Sequence, residues 1–265
     1  MKRGRDYIVF ALDVNSAHEA EKYVNLLEGK VGMFKIGLEL FIQTGPDIIR
    51  RIRNLSSAGI FLDLKFHDIS ETVKRVMERV AELGVDLVTV HCASSQKMLE
   101  MAVKGGRYRK VPATATEHNR YRGKNHAGVL PGEDGVGVLG VTLLTDNDTA
   151  VVEAGGFKEH YVNDIQALVM KRAKMAHAAG CRGVVCSGQE AKMVKSTFGE
   201  DFLAVTPGIR PEWSITQGDD QQRITTPAMA VRAGADLIVV GRPIKRAADP
   251  AGAAERIAQE IEDLQ

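Results

Sequence analysis

The chain has 265 residues, 44% of them hydrophobic and 26% charged, with 35 Lys and Arg against 34 Asp and Glu for a formal net charge of +1. A balance this even excludes the global basicity of a nucleic-acid or membrane-surface binder, so selectivity for an anion must come from local placement of charge. No apolar run approaches the roughly 18 residues of a membrane span, and the length suits one (β/α)8 barrel of about 250 residues.

In chain order, the basic start Met1-Lys2-Arg3-Gly4-Arg5 runs into Asp6, and the short apolar run behind it ends at Asp13. No secretion signal fits there. Strand-like runs, aliphatic or β-branched and too short for helices, fall at 7–12, 33–36, 60–64, 87–90, 138–143, 183–185, 203–205 and 237–240. Helical patterns lie between them, among them 16–27 and 70–83. Ser16 and Glu19 read as a capping box; Ser70 is followed three places on by Val73 where the box needs an acid. The pairs Ala58-Gly59, Leu83-Gly84, Ala179-Gly180 and Ala233-Gly234 precede later strands, where glycine can close a helix in the left-handed conformation.

Eight strands alternating with helices imply a parallel sheet, and eight is the number that closes a barrel. An open doubly wound sheet more commonly has five or six. The expectation is therefore an α/β fold, a (β/α)8 TIM barrel forming one catalytic domain over residues 1–265. One stretch breaks the rhythm, from about 105 to 135. It contains Gly105-Gly106, Pro112, Pro131 and seven Lys/Arg between Lys104 and Lys124 against one acid, Glu117. A loop this long is unusual in a compact domain; it reads as a solvated insertion on the barrel rim, with nothing of a nucleic-acid-binding module about it. Cys92, Cys181 and Cys186 form no CxxC pair and no metal-ligand spacing, which suits packed thiols in the reducing cytoplasm.

In a barrel the C-terminal ends of the strands build the active site. Strand 1 ends at Asp13, strand 2 carries Lys35, strand 3 carries Asp63 and Lys65 with Asp68 just beyond, and strand 8 runs into Gly241-Arg242. Asp63 and Lys65 are two apart and share a face if the strand continues through them. An inward charge is costly unless paired, so a structural ion pair is one reading. Alternating charges on three consecutive strands favour a site. Asp68, at the start of the next helix, can face away from its own barrel toward a second subunit. Thr206-Pro207-Gly208-Ile209-Arg210 and Val239-Val240-Gly241-Arg242-Pro243 follow strands 7 and 8, the common phosphate corner of this fold. Gly241 lets backbone amides approach an anion, and Arg242 can fork to it.

These segments together resemble the orotidine 5'-monophosphate decarboxylase family over nearly the whole chain. The resemblance rests on Phe10-Ala11-Leu12-Asp13, Phe34-Lys35-Ile36-Gly37, Asp63-Leu64-Lys65-Phe66-His67-Asp68-Ile69, Gly140-Val141-Thr142-Leu143-Leu144-Thr145, Thr206-Pro207-Gly208-Ile209-Arg210, Gly218-Asp219-Asp220-Gln221-Gln222-Arg223 and Val240-Gly241-Arg242-Pro243-Ile244. It implies a carboxy-lyase of de novo pyrimidine (UMP) biosynthesis, homodimeric, using neither metal nor organic cofactor. Lys65 would protonate C6 of the pyrimidine as carbon dioxide leaves, with Asp63 against the substrate carboxylate and Lys35 and Asp68 completing the charge set. Asp68 and Ile69 would come from the neighbouring subunit. Asp13 would bind the ribose, Thr145 would contact the pyrimidine or ribose, and Thr72 belongs to the same motif. Gln221 and Arg242 would hold the phosphate, with Pro207 and Arg210 in the neighbouring loop. The Asp-x-Lys-x-x-Asp core alone is shared with magnesium-dependent 3-keto-hexulose-phosphate decarboxylases and synthases, the alternative reading. Ser70-Glu71 stands where the family pattern has a Pro-Asn type of turn, which changes a helix start and none of the catalytic groups.

Overall fold

A computed structural model describes residues 2–107, 135–144, 146–214 and 225–264. Eight parallel strands close in sequence order into a barrel: β1 (Ile8–Ala11), β2 (Met33–Gly37), β3 (Gly59–Phe66), β4 (Leu87–His91), β5 (Gly137–Val141), β6 (Gly183–Val185), β7 (Leu203–Thr206) and β8 (Leu237–Val240). β8 returns to β1 through Val9↔Val239 and its neighbours, which closes the ring. All eight strands expected from the sequence form. The run expected to 143 ends at Val141, beyond which the Thr142 hydroxyl donates to the carbonyl of Val185 at 2.9 Å.

Alternation along the strands sorts the apolar residues into two cores. Val9, Met33, Phe61, Leu87, Leu139, Leu203, Val205 and Leu237 fill the barrel interior. Their strand neighbours, such as Ile8, Phe10, Ile60, Leu62 and Val88, pack outward against the helices. Because side chains alternate with a period of two, the residues two and four beyond an interior position also point inward, toward the mouth at the strands' C-terminal ends.

Helix Ala17–Leu27 starts as expected at Ser16, whose hydroxyl accepts from the Glu19 N–H at 3.2 Å; only that half of the capping box forms. The reciprocal contact occurs instead before helix Gly188–Phe198, where the Ser187 N–H donates to Glu190 at 2.7 Å. Helix Ser70–Glu82 has Ile69, extended, at its N-cap, so Ser70 lies inside the first turn and the helix starts without a side-chain cap because an aliphatic side chain offers no acceptor. Gly84, Gly180 and Gly234 take the expected left-handed conformation. Gly59 does not. It opens β3, and its reason is space: a Cβ there would lie 2.9 Å from Met33 side-chain atoms.

The first residues of the expected insertion are helical. Gly105 and Gly106 belong to helix Gln96–Gly106, where a Cβ on Gly105 would meet the Lys74 carbonyl at 2.4 Å, so glycine here lets two helices approach rather than marking a loop. Residues 108–134, with the basic cluster, lie outside the described residues. The ends flanking them meet where the Val136 N–H donates to the Gly106 carbonyl at 3.1 Å, at the N-terminal end of β5 and so on the face opposite the strand ends that carry the charges. Among the described residues no helix is long and apolar enough to cross a membrane.

Candidate active site

Two steps beyond Val9 and its inward neighbour Ala11 lies Asp13; Lys35 follows Met33; Asp63 follows Phe61. The register Ala11↔Lys35 and Gly37↔Asp63 sets these side chains side by side at the mouth. The Lys35 ammonium sits 3.1 Å from Asp13 Oδ1 and 3.6 Å from Asp63 Oδ2. The Lys65 ammonium sits 3.0 Å from Asp63 Oδ1 and 3.1 Å from Oδ2. The four charges therefore alternate in one contiguous row, Asp13–Lys35–Asp63–Lys65. Lys35 is only 8% exposed, and such burial is tolerable because carboxylates flank it on both sides. Gly37 leaves the necessary room: a Cβ there would come within 3.2 Å of the Lys35 ammonium and 3.3 Å of Asp13.

Lys65 reaches this row through an irregular backbone. Its φ of 51° is the one positive value at a non-glycine among the described residues. Between the pairs Leu62↔Val88 and Phe66↔Val90 the β3 ladder slips, so four steps on β3 oppose two on β4. Bulges of this kind re-aim a side chain and recur beside active sites. Thr89 of β4 fills the gap: its hydroxyl accepts from the Lys65 N–H and donates to Asp63 Oδ1, each at 2.9 Å.

His91 lies two residues beyond Thr89, its ring 5.6 Å from that of His67. Burial, with the positive charges of Arg172 and Lys65 and the neighbouring His67, lowers its pKa below the usual histidine value. The Ala93 N–H donates to His91 Nδ1 at 3.3 Å, which leaves the proton of the neutral ring on Nε2. Thr89 and His91 were missed in the sequence because only charge was sought at the strand ends. The inward alternation Leu87, Thr89, His91 is the signal that finds both.

Asp68 and Ile69 behave differently from the row. Asp68 is exposed and has no ion-pair partner among the described residues; its Oδ1 accepts from the Ile69 N–H at 2.7 Å. Ile69 is 72% exposed, unusual for a large aliphatic side chain. Thr72 is half-buried in the first turn of helix Ser70–Glu82. At the other side of the mouth, Gly241 starts the short helix Arg242–Lys245, and the Lys245 ammonium donates to the Asp13 carbonyl. Pro207 and Arg242 are partly exposed, whereas Arg210 is 5% exposed and donates to the Ile209 carbonyl at 2.9 Å. Accessibility thus favours Arg242 over Arg210 as a group able to meet an anion. Thr145 and Gln221 lie outside the described residues.

The cysteines are not placed for nucleophilic chemistry. Burial pushes the Cys92 thiol up to about 12 and Cys181 and Cys186 higher still, so these thiols are not poised as nucleophiles. Among the described residues no three His, Cys, Asp or Glu side chains form a metal-holding group. A cavity of about 460 Å³ opens at the opposite end of the barrel, lined by Arg107, Val136, Arg182, Asp201 and Phe202 among others, away from the inward charges.

Residues 6–257 match the family described as Orotidine 5'-phosphate decarboxylase / HUMPS. A protein of Desulfosudis oleivorans named orotidine 5'-phosphate decarboxylase is 46% identical over 98% of this chain and 94% of its own length. One of the same name from Syntrophotalea carbinolica is 39% identical over 97% of this chain and 95% of its own. The crystal structure of orotidine 5'-phosphate decarboxylase from Lactobacillus acidophilus superposes with a TM-score of 0.76 at 33% identity, covering 96% of this chain and 98% of that one.

Proposed function

The chain belongs to the orotidine 5'-phosphate decarboxylase / HUMPS family, and from that premise we propose that it converts orotidine 5'-monophosphate to uridine 5'-monophosphate and carbon dioxide, the carboxy-lyase step of UMP biosynthesis. The observation that carries this reading is the row Asp13–Lys35–Asp63–Lys65, with its ammonium and carboxylate groups 3.0 to 3.6 Å apart at the barrel mouth. The whole chain, residues 1–265, acts in this reading as one catalytic barrel.

Loss of carbon dioxide from C6 leaves an electron pair on an sp2 carbon that the ring delocalises poorly. A preorganised cation beside that carbon stabilises the developing charge. Lys65 supplies the cation and then the proton, so the electron pair of the broken C–C bond ends in a new C6–H bond. Asp63 faces the departing carboxylate. Two like charges about 4 Å apart repel by about 4 kcal/mol at an effective dielectric near 20, which is about a thousandfold in rate if relieved in the transition state. Lys35 helps anchor Asp63, which lies between two cations. Asp13 binds the ribose, and Arg242 with the Gly241 amides takes the phosphate, whose binding energy offsets the strained ground state. Gln221, Pro207, Arg210, Thr145 and Thr72 complete the substrate contacts.

The exposure of Asp68 and Ile69 supports a homodimer in which both serve the neighbouring site. Three buried, unpaired thiols support a cytoplasmic setting.

Incubation with orotidine 5'-monophosphate, followed by the ultraviolet absorbance of the pyrimidine, tests the reaction. The expected result is conversion to uridine 5'-monophosphate that survives exhaustive chelation. No spectral change at saturating substrate sinks the decarboxylase reading, and activity lost on chelation and restored by magnesium turns it toward the sugar-phosphate branch of the family.

A further inference from the structure

We propose that Thr89 is a positioning residue for the reaction, its hydroxyl holding the Lys65 backbone in the left-handed conformation and orienting the Asp63 carboxylate beside it. The proposal rests on the decarboxylase reading above.

Thr89 is 0% exposed and points into the barrel, directly above Leu87 and across from Leu139. A valine would fill the same space. A hydroxyl in such surroundings is costly unless it is bonded, and this one is used in both directions. It accepts from the Lys65 N–H at 2.9 Å, so its single proton is free for Asp63 Oδ1, also at 2.9 Å. The bond polarity is thereby determined: amide to hydroxyl, hydroxyl to carboxylate.

The Lys65 amide has particular need of such a partner. The β3 ladder slips between Leu62 and Phe66, so the regular β4 backbone does not receive that amide, and a side-chain oxygen takes the place of a strand carbonyl. A lysine at φ 51° persists only where its surroundings over-determine it. With the hydroxyl removed, Lys65 can relax toward extended backbone, which redirects its side chain, and the Asp63 carboxylate loses one of the donors that set its rotation. The two changes act on the same pair of groups. Misplacement of reacting groups by about 1 Å costs on the order of a hundredfold in rate.

The test compares wild type, Thr89→Val and Thr89→Ser. The expected result is a kcat about 100-fold lower in Thr89→Val, with KM for orotidine 5'-monophosphate and affinity for uridine 5'-monophosphate close to wild type, because the phosphate and ribose contacts lie elsewhere. Thr89→Ser, which keeps the hydroxyl, recovers most of the rate. A Thr89→Val enzyme with wild-type kcat, or a Thr89→Ser enzyme as slow as Thr89→Val, overturns the proposal. If Thr89→Val does not fold, Thr89→Cys is read against Thr89→Ser, since the thiol is similar in size and a poorer hydrogen-bonding group; equal kcat in those two also overturns it. An inactive wild type overturns the decarboxylase reading and this proposal with it, whereas an active wild type with an equally active Thr89→Val overturns this proposal alone.

Discussion

The Lys65 ammonium bridges both oxygens of Asp63, at 3.0 and 3.1 Å, although the two residues are separated by only one position on a strand whose ladder is broken at that point. In a regular strand, side chains two apart stand parallel and several ångströms from each other. Here the left-handed turn at Lys65 folds the longer side chain back onto the shorter one. The pair is held by geometry as well as by charge, and the ammonium stays partly open to the mouth.

That relationship makes Lys65 the group whose loss should be most specific. Lys65→Ala should lower kcat by at least about a thousandfold while uridine 5'-monophosphate still binds and the circular dichroism spectrum is unchanged. Retention of substantial turnover would remove Lys65 as the proton donor.

Asp68 is absent from the row of its own chain, which leads to a prediction about assembly. Lys65→Ala and Asp68→Ala should each be inactive alone, yet regain activity when their subunits are mixed and allowed to exchange. One of the two sites in each hybrid then has both groups, so random exchange restores about a quarter of the sites. Proven exchange without any recovered activity rejects the shared site.

Arg242 follows β8, three strands round the barrel from the β3 that carries Lys65, and the proposed mechanism gives it binding rather than chemistry. Arg242→Ala should raise KM for orotidine 5'-monophosphate by about 10- to 100-fold through loss of a charge-assisted contact. The same substitution should leave the weak binding of orotidine, which has no phosphate, nearly unchanged. Equal losses for both ligands count against a phosphate contact.

His91 introduces a pH dependence in the stability of the folded chain. Its pKa is lowered in the native barrel, first by burial and then by Arg172, His67 and Lys65. As pH falls below the ordinary histidine value of about 6.5, the unfolded chain takes up a proton that the native site resists. Stability from this group is therefore fully present above about pH 6.5 and is lost as pH falls toward the lowered native value. Melting temperatures measured from pH 7.5 to 5 should decline less steeply in His91→Gln than in wild type, and coincident curves would show that His91 does not titrate in this window.

The strand count, their order and most of their limits could be read directly, because short aliphatic runs such as those ending at Leu12, Val185 and Val240 have no other stable use at that length and spacing. The charges at strand ends were equally visible, since Asp13, Lys35 and Asp63 interrupt apolar runs where a charge is costly unless it has a purpose. Glycine was harder to read. Gly59 and Gly105 look like punctuation in the sequence, but each is where it is because Met33 or the Lys74 carbonyl leaves no space for a Cβ, and such crowding comes from residues distant in the chain.

By itself, then, the sequence determined that this chain closes an eight-stranded barrel and which charged residues it brings to the mouth, because a two-residue period and the cost of buried charge are local properties. Only the tertiary structure decided how those charges are joined. The slip between β3 and β4, the left-handed Lys65 and the Thr89 hydroxyl that serves both Lys65 and Asp63 depend on two strands meeting out of register, and no pattern within either strand encodes that meeting.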